Sequence, residues 1–234
     1  MLDRVRLHFI AWLLERYPQA YFRWKKIGKH RLCTDRDFLA LHAQSLRDGE
    51  GLQVLEERYN LWVLTRSVAR LPGVLAEVGV YRGGSARLIA AAKGGADLLL
   101  FDTFAGMPPV DPLTDGAFYE GESGDTSVEQ VRAYLAGFPA VHFHSGFFPE
   151  SAKPLEQDMA LRFKFVHLDV DLLASTRSAL EWFYPRMVRG GLIITHDYGD
   201  TTVPGVKRAF DEFFADKPET VVPLWFTQAV VTKL

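Results

Sequence analysis

A glycine-rich turn between an apolar run and a helical segment constrains the fold of this chain more than any other feature. The turn, Glu77-Val-Gly-Val-Tyr-Arg-Gly-Gly-Ser85, follows the apolar residues 73–76 and precedes a helical pattern at 86–92. Glycine permits positive φ angles and close approach of the backbone to a ligand, and the first turn of a helix offers unpaired N–H groups to an anion. The pattern predicts a strand, a turn and a helix that bind a nucleotide-like ligand.

The acid that opens this turn narrows the class of ligand. The glycine spacing differs from the dinucleotide fingerprint G-x-G-x-x-G, and a carboxylate at position 77 suits the ammonium or sulfonium side of S-adenosylmethionine (SAM) better than a phosphate. Asp102 ends the next apolar run, 19 residues beyond Gly83, where a strand-terminal acid can bind the hydroxyls of a ribose. Ser145 follows the third run and is predicted to reach the adenine edge.

Short apolar runs alternate with helical segments from residue 71 onward. The runs are 74–78, 97–101, 141–144, 163–168, 192–195, 221–222 and 229–232, and the helices between them are 85–92, 127–136, 174–187 and 204–215. Nearly continuous apolar strands separated by helices predict an α/β fold with a doubly wound, mostly parallel sheet of seven strands, closed by a terminal hairpin. Residues 71–234 form the predicted catalytic domain, and residues 1–70, with helices at 36–47 and 52–70, form a helical extension that covers the acceptor or mediates dimerisation.

Composition excludes several classes of protein. The 234 residues include 48% hydrophobic and 24% charged residues with a net charge of −2, which argues against a nucleic-acid partner. Cys33 is the only cysteine, so an intramolecular disulfide and a cysteine-ligated metal cluster are excluded. No apolar run has transmembrane length and no secretory signal is recognisable, so the sequence predicts a cytoplasmic location.

Polar residues end five of the predicted strands, and two of these ends are rich in carboxylates. Asp169 and Asp171 follow the fourth strand, and His196-Asp197 follows the fifth. Neighbouring carboxylates repel one another unless a cation or a proton compensates, so Asp169, His196 and Asp197 are predicted to hold a divalent metal, with Mg²⁺ and Mn²⁺ as the candidates. The alternative is that His196 itself removes a proton from a hydroxyl acceptor, oriented by Asp169 or Asp171.

Two further segments have unusual composition. Residues 103–126 form a long stretch rich in Gly, Pro and aromatic residues, which predicts a cover over the ligand. Residues 1–31 are basic, aromatic and amphipathic, which is typical of a helix that packs on its own domain or across a dimer, or that contacts an anionic membrane surface.

Several motifs in order resemble the macrocin O-methyltransferase family. They are the turn Glu77–Ser85, Phe101-Asp-Thr-Phe-Ala-Gly-Met-Pro108, Gly146-Phe-Phe-Pro-Glu-Ser151, His167-Leu-Asp-Val-Asp-Leu172 with Ser175-Thr176, and Gly190-Gly-Leu-Ile-Ile-Thr-His-Asp-Tyr198 with Pro204-Gly205. The resemblance extends from about Leu52 to the C-terminus. It implies a Rossmann-like class I methyltransferase fold, SAM at Glu77, Gly79, Ser85 and Asp102, a divalent metal, and Asp171 as the general base. Tyr81, Gly83, Ser145 and Asp169 complete the predicted cofactor-binding set.

The chain departs from the family at one metal position, since the antibiotic members carry two adjacent aspartates where this chain has His196-Asp197. The turn also resembles that of catechol-type O-methyltransferases, but their basic lysine corresponds to Leu172 here. The resemblance implies SAM-dependent O-methylation of a sugar or other small polar acceptor in natural-product or glycan biosynthesis. The alternatives are a catechol-type enzyme and a non-catalytic SAM-binding module docked on a membrane or a biosynthetic complex. A homodimer is the predicted oligomer.

Overall fold

A computed structural model describes residues 2–25, 30–50, 53–116 and 118–234. Lys26 and Lys29 of the basic N-terminal segment, and Leu52 at the predicted start of a helix, lie outside the described residues. Within the described residues four α-helices precede the first strand, and their bounds are α1 (Leu2–Arg16), α2 (Pro18–Trp24), α3 (Arg36–Asp48) and α4 (Leu55–Ser67). No helix in the described part of the chain is both long and apolar enough to cross a bilayer.

Seven strands and four helices follow. They are β1 (Val74–Val78), α5 (Gly84–Ala92), β2 (Leu98–Asp102), α6 (Val128–Tyr134), β3 (Val141–Ser145), β4 (Phe163–Leu168), α7 (Leu173–Phe183), β5 (Met187–Thr195), α8 (Pro204–Phe214), β6 (Val222–Pro223) and β7 (Ala229–Thr232). The sheet order is β3-β2-β1-β4-β5-β7-β6. The first five strands in this order, from β3 to β5, are all parallel. β7 pairs antiparallel with β5 and with β6. The prediction of a doubly wound, mostly parallel sheet with a closing hairpin is confirmed.

The sheet is covered on both faces. One face packs Phe101, Val166 and Ile193 against α7 and α8, and the other packs Leu75, Leu100 and Ile194 with residues of α4 and α5. Continuous burial of β4 on both faces explains why its sequence shows no alternation of polar and apolar residues. The carboxyl ends of the parallel strands, where α/β sheets bind their ligands, therefore face one open edge.

Local signals account for the helix ends that lie near this edge. The side chain of Asp35 caps α3 by accepting the N–H of Phe38 at 3.2 Å, and Gly49 ends that helix in the left-handed region at φ +80°. α4 packs on the domain that follows it, because Leu61 lies in the same core as Leu75 and Ile89. The predicted boundary at residue 70 stays a prediction.

Two element bounds differ from the sequence prediction by more than three residues. β5 begins at Met187 rather than at 192, because Gly190 and Gly191 interrupt its apolar pattern without breaking the strand. The helix predicted over 174–187 ends as an α-helix at Phe183, and Tyr184–Arg186 continue as a 3-10 turn in which Pro185 stands.

Candidate active site

The backbone of the glycine turn forms one wall of the site. Gly79 has φ +84°, and a Cβ added there would lie 1.8 Å from the carbonyl oxygen of Asp169. A Cβ added at Gly84, the first residue of α5, would lie 2.0 Å from the carbonyl oxygen of Glu50. These two positions accept no side chain, and the turn therefore presents bare backbone to the space beside it.

That space is a cavity of about 330 Å³ at the carboxyl edge of the sheet. Eight of the eleven residues predicted for the site line it: Gly79, Tyr81, Ser85, Asp102, Asp169, Asp171, His196 and Asp197. Met107, Pro108, Phe118 and Ser123 also line it, so the stretch 103–126 contributes a wall as the sequence predicts. The structure therefore brings the predicted donor residues and the predicted metal and base residues to one cavity.

Three predicted donor residues do not line the cavity. Gly83 caps α5 in the left-handed region at φ +86° and faces Val131, so it shapes the turn. Ser145 is exposed and stands outside the lining, where Gly146 and Phe147 take its place. The turn after β3 therefore presents the two residues that follow Ser145, and sequence position alone does not reveal this shift.

Glu77 is the third. Its side chain is fully buried and its Oε1 lies 2.7 Å from Nδ1 of His167, which is also fully buried. Burial raises the pKa of Glu77. Glu77 Oε2 has no hydrogen-bond partner among the described residues. The structure thus places Glu77 behind the cavity wall, bound to the neighbouring strand.

Asp102 organises the turn from the end of β2. Its Oδ2 accepts the N–H groups of Val80 at 2.6 Å and Tyr81 at 2.8 Å, and its Oδ1 accepts the N–H of Phe104 at 2.6 Å. Oδ2 therefore already accepts two bonds, whereas Oδ1 has a second lone pair that can accept a hydroxyl donor from the cavity. Ribose binding by Asp102 stays a prediction.

The opposite side of the cavity holds an imidazole among carboxylates. Nδ1 of His196 lies 2.9 Å from Oδ2 of Asp197 and 3.4 Å from Oδ1 of Asp169. Nε2 of the same ring lies 3.3 Å from Oε2 of Glu57 in α4. Both ring nitrogens thus face carboxylate oxygens.

Neighbours from distant segments fix two of these carboxylates. Glu57 Oε1 accepts the hydroxyl of Thr227 at 2.6 Å and the N–H of the same residue at 3.1 Å. Gln53 donates its side-chain amide to Asp169 Oδ2 at 3.1 Å. The loop before β7 and the segment before α4 therefore hold the cluster at the ends of β4 and β5.

The charges of the cluster shift its acid–base properties. Burial lowers the pKa of His196, but the neighbouring carboxylates, Asp169 above all, outweigh burial and raise it. Burial and the charge of Asp169 together raise the pKa of Asp171 well above its usual range. The charge of His196 therefore compensates the carboxylates around it, whereas Asp171 is hard to ionise.

The donor set fits a divalent cation. One ligand atom from each of Asp169, His196 and Asp197 lies within 4.8 Å of the others. A histidine that binds a metal usually donates its second N–H to a carboxylate, and Glu57 occupies that place here. Two oxygens and one imidazole nitrogen favour a transition metal such as Mn²⁺ over Mg²⁺.

Sequence reasoning missed the contributions of α4 and the segment before it. Glu57 has a recognisable local role, since it stands three residues after Val54 and accepts its N–H at 3.3 Å. Its contact with His196 spans 139 positions, and the partner of Gln53 lies 116 positions away. Helical periodicity gives no signal for contacts of that separation.

The macrocin O-methyltransferase (TylF) family model matches residues 52–223. A curated relative, the 8-demethyl-8-(2,3-dimethoxy-alpha-L-rhamnosyl)-tetracenomycin-C 4'-O-methyltransferase of Streptomyces olivaceus, is 34% identical over 143 residues, covering 55% of this chain and 54% of the relative. The demethyldecarbamoylnovobiocin O-methyltransferase of Streptomyces niveus is 29% identical over 169 residues, covering 62% and 59%. The matches thus span little more than half the length of these curated relatives.

Solved structures show the same fold. The calicheamicin methyltransferase CalS11 has a TM-score of 0.66 at 20% identity, with 81% of this chain and 84% of that chain covered. The O-methyltransferase NovP has a TM-score of 0.63 at 24% identity, with 76% and 80% covered. The predicted class I methyltransferase fold is confirmed, and since the family model covers most of its length, the chain belongs to the macrocin O-methyltransferase family.

Proposed function

We propose that this protein is a SAM-dependent O-methyltransferase that methylates a hydroxyl of a sugar or other small polar acceptor in natural-product or glycan biosynthesis. The observation that carries the proposal is one cavity lined on one side by the glycine turn and Asp102, and on the other by Asp169, Asp171 and His196. Family membership and two relatives named as O-methyltransferases support it.

The chain's own residues divide the work between the two sides. SAM, when bound, supplies an electrophilic methyl group on a sulfonium, which the acceptor oxygen takes by in-line displacement. The turn and Asp102 hold the donor on their side, and alignment of donor and acceptor supplies much of the rate. Asp171 lines the acceptor side and is the proposed base that takes the hydroxyl proton onto a carboxylate oxygen. Its raised pKa makes the ionised carboxylate the stronger base, and the positive charge of His196 favours that ionised form.

Asp169, His196 and Asp197 are the proposed metal ligands. A divalent ion held there supplies positive charge that lowers the pKa of an acceptor hydroxyl. The alternative is that His196 removes the proton without a metal, which requires its neutral imidazole, although the same carboxylates raise the pKa of the ring and favour its protonated form. Protein stripped with EDTA and assayed with single divalent ions separates the two, since full activity of the stripped protein assigns the proton to His196.

The helical extension is the proposed acceptor cover. A second cavity of about 400 Å³ lies between α1, α3 and the loop that holds Phe226, and Gln53 lines both cavities. Its walls include the apolar side chains of Leu7, Ile10 and Leu46. An acceptor whose hydroxyl reaches Asp171 has this space for its remaining part.

The outer face of α1 supports a peripheral membrane contact. Val5, Phe9 and Trp12 are 65%, 58% and 49% exposed along one side of the helix, whereas Ala11 and Leu14 on the other side are buried. Exposed arginines at positions 4, 6 and 16 accompany this outer stripe. A two-fold dimer through the stripe brings like charges together, whereas an anionic bilayer accepts both aromatic rings and arginines. The homodimer and the cytoplasmic location stay predictions.

The direct test is release of S-adenosylhomocysteine from SAM in the presence of glycosylated acceptors. We expect turnover by the wild-type protein and at least a hundredfold lower turnover by Asp171→Asn, since general bases typically contribute 10²- to 10⁴-fold. SAM affinity measured by calorimetry should stay unchanged in this variant. Binding of SAM without product from any acceptor would favour the non-catalytic binding module.

A further inference from the structure

Arg58 in α4 is a buried cation that the proposed chemistry leaves without a role. Its side chain is among the largest fully buried ones, with 1% exposure. Its Nε lies 3.0 Å from Nδ1 of His42, and its Nη2 donates to the hydroxyl of Ser45 at 2.8 Å. Burial lowers the pKa of His42 to about 3, so at neutral pH both partners of Arg58 are uncharged.

No described carboxylate forms an ion pair with Arg58. Glu50 lines the same cavity, where burial raises its pKa and the charge of Arg82, not that of Arg58, opposes this rise. The neighbouring cation, Arg87, pairs with Asp48 at 3.1 Å. Burial lowers the pKa of Arg58 to about 10, which leaves it protonated at neutral pH. A buried charge without a counter-charge is costly, so this position calls for an anion.

The guanidinium faces the donor side of the cavity. Arg58 lines the cavity, and a Cβ added at Gly84 would lie 3.6 Å from its Nη1. Nη1 makes no hydrogen bond to the described residues. Gly84 is also the first residue of α5, and the N–H groups of a first helical turn have no partner within their helix. The cation of α4 and the N-terminus of α5, a helix of nine residues, therefore approach the same point.

We propose that Arg58, together with the first turn of α5, binds the α-carboxylate of the methionyl portion of SAM. This assignment rests on the proposed use of SAM as donor. The α-carboxylate is the only anionic group of that molecule, and it carries no other predicted ligand in this chain. A charged hydrogen bond from a buried guanidinium fixes the methionyl end, while Asp102 is left for the ribose.

Calorimetric titration with SAM and with decarboxylated SAM tests the proposal, because the two ligands differ only in that carboxylate. The wild-type protein is expected to bind SAM at least tenfold more tightly. In Arg58→Gln this preference should fall to about twofold or less, with the affinity for decarboxylated SAM changed by less than about threefold. Arg58→Lys keeps the charge and should retain part of the preference.

Matched controls separate binding from folding. Arg87→Gln removes a neighbouring arginine that stacks over Tyr134 and does not line the cavity, and its preference should equal that of the wild type. Circular dichroism and thermal unfolding check each variant. Equal affinity of the wild-type protein for both ligands would overturn the assignment without any variant.

Two other results would also overturn it. An unchanged preference in a folded Arg58→Gln protein would show that the carboxylate binds elsewhere. An equal loss of affinity for both ligands would show that Arg58 only stabilises the core. Absence of SAM binding by the wild-type protein would overturn the proposed function and this assignment together, and is thereby distinguished from failure of Arg58 alone.

Discussion

Single residues at this site act through the orientation that their neighbours impose. Glu57 exemplifies this, because its two oxygens divide between Thr227 on one side and the His196 ring on the other. With Nε2 directed to Glu57, Nδ1 faces Asp169 and Asp197. A histidine that is free to rotate loses this arrangement, so Glu57 is expected to matter for metal binding without touching the ion.

We expect Glu57→Gln to weaken Mn²⁺ binding about 10- to 100-fold, the usual effect of removing a carboxylate behind a ligating histidine. Glutamine keeps the shape and the contact with Thr227 but removes the negative charge. Calorimetry or Mn²⁺ paramagnetic resonance on the stripped protein measures the affinity. The same substitution one position earlier, Glu56→Gln, is the control, and equal affinities of the two variants would refute the prediction.

The residue scale also shows where sequence reasoning succeeds and fails. The strand-end acids Asp102, Asp169 and Asp171 were predictable, because the end of an apolar run marks the edge of the sheet. Ser145 was not, since the side chain that lines a cavity after β3 depends on the path of the turn. Arg58 and Glu57 were missed because a helix pattern shows which face is buried and not which atoms it meets.

At the scale of elements, α1 is unusual in presenting apolar residues on two opposite faces. Ala11 and Leu14 pack in the core of the N-terminal helices, while Phe9 and Trp12 stack on the outer surface with ring centroids 5.9 Å apart. Tyr17 lies edge-on to Trp12 at 5.6 Å. Aromatic rings beside arginines are the composition of helices that lie in the headgroup region of a membrane.

The double variant Phe9→Ser/Trp12→Ser should reduce flotation with vesicles that contain phosphatidylserine. The wild-type chain is expected to bind these vesicles and to dissociate as salt rises, because arginine contributes about 1 kcal/mol near an anionic surface. Leu113→Ser, which changes a 92% exposed residue in another segment, is the control. No flotation of the wild type, with a dimer that the double variant disrupts, would assign the stripe to a second copy instead.

At the scale of the whole molecule, the last strand, β7, lies between β5 and β6, and Lys233 just after it is tied to the core. Glu219 has a fully buried side chain that binds Lys233, and it accepts the Tyr184 hydroxyl at 2.9 Å. Burial raises the pKa of Glu219, but the bond from Lys233 and its other partners outweigh burial and lower it to about 2. The folded state thus favours the ionised carboxylate.

Because the pKa of Glu219 is lower in the folded state, its ionisation stabilises the protein above pH 4.5. This stabilisation is lost as the pH falls toward 2. Glu219→Gln is therefore expected to lower the free energy of unfolding by about 2 to 3 kcal/mol at pH 7. The difference from the wild type should shrink between pH 4.5 and 2. Urea unfolding across this range measures it, with exposed Glu212→Gln as control, and a difference that does not vary with pH would contradict the prediction.

The fold as a whole was predictable because strand runs such as 98–101 and 192–194 are continuously apolar and fall between helices. The order of the strands in the sheet was not predicted, because no local pattern encodes it. The first half of β5 was hidden by Gly190 and Gly191, which have no side chain and therefore give no hydrophobic signal. What the sequence leaves out is the mutual placement of α4, the loop before β7 and the strand ends, which depends on contacts across more than 100 positions.

The contact between Gly79 and the carbonyl of Asp169 has a consequence for redesign. The turn that we propose for the donor and the strand end that we propose for the acceptor share a single layer of backbone. Enlarging either compartment through this partition would push directly into the other. Efforts to broaden the range of acceptors therefore have to begin at the opposite wall, where residues 103–126 and the N-terminal helices supply replaceable side chains.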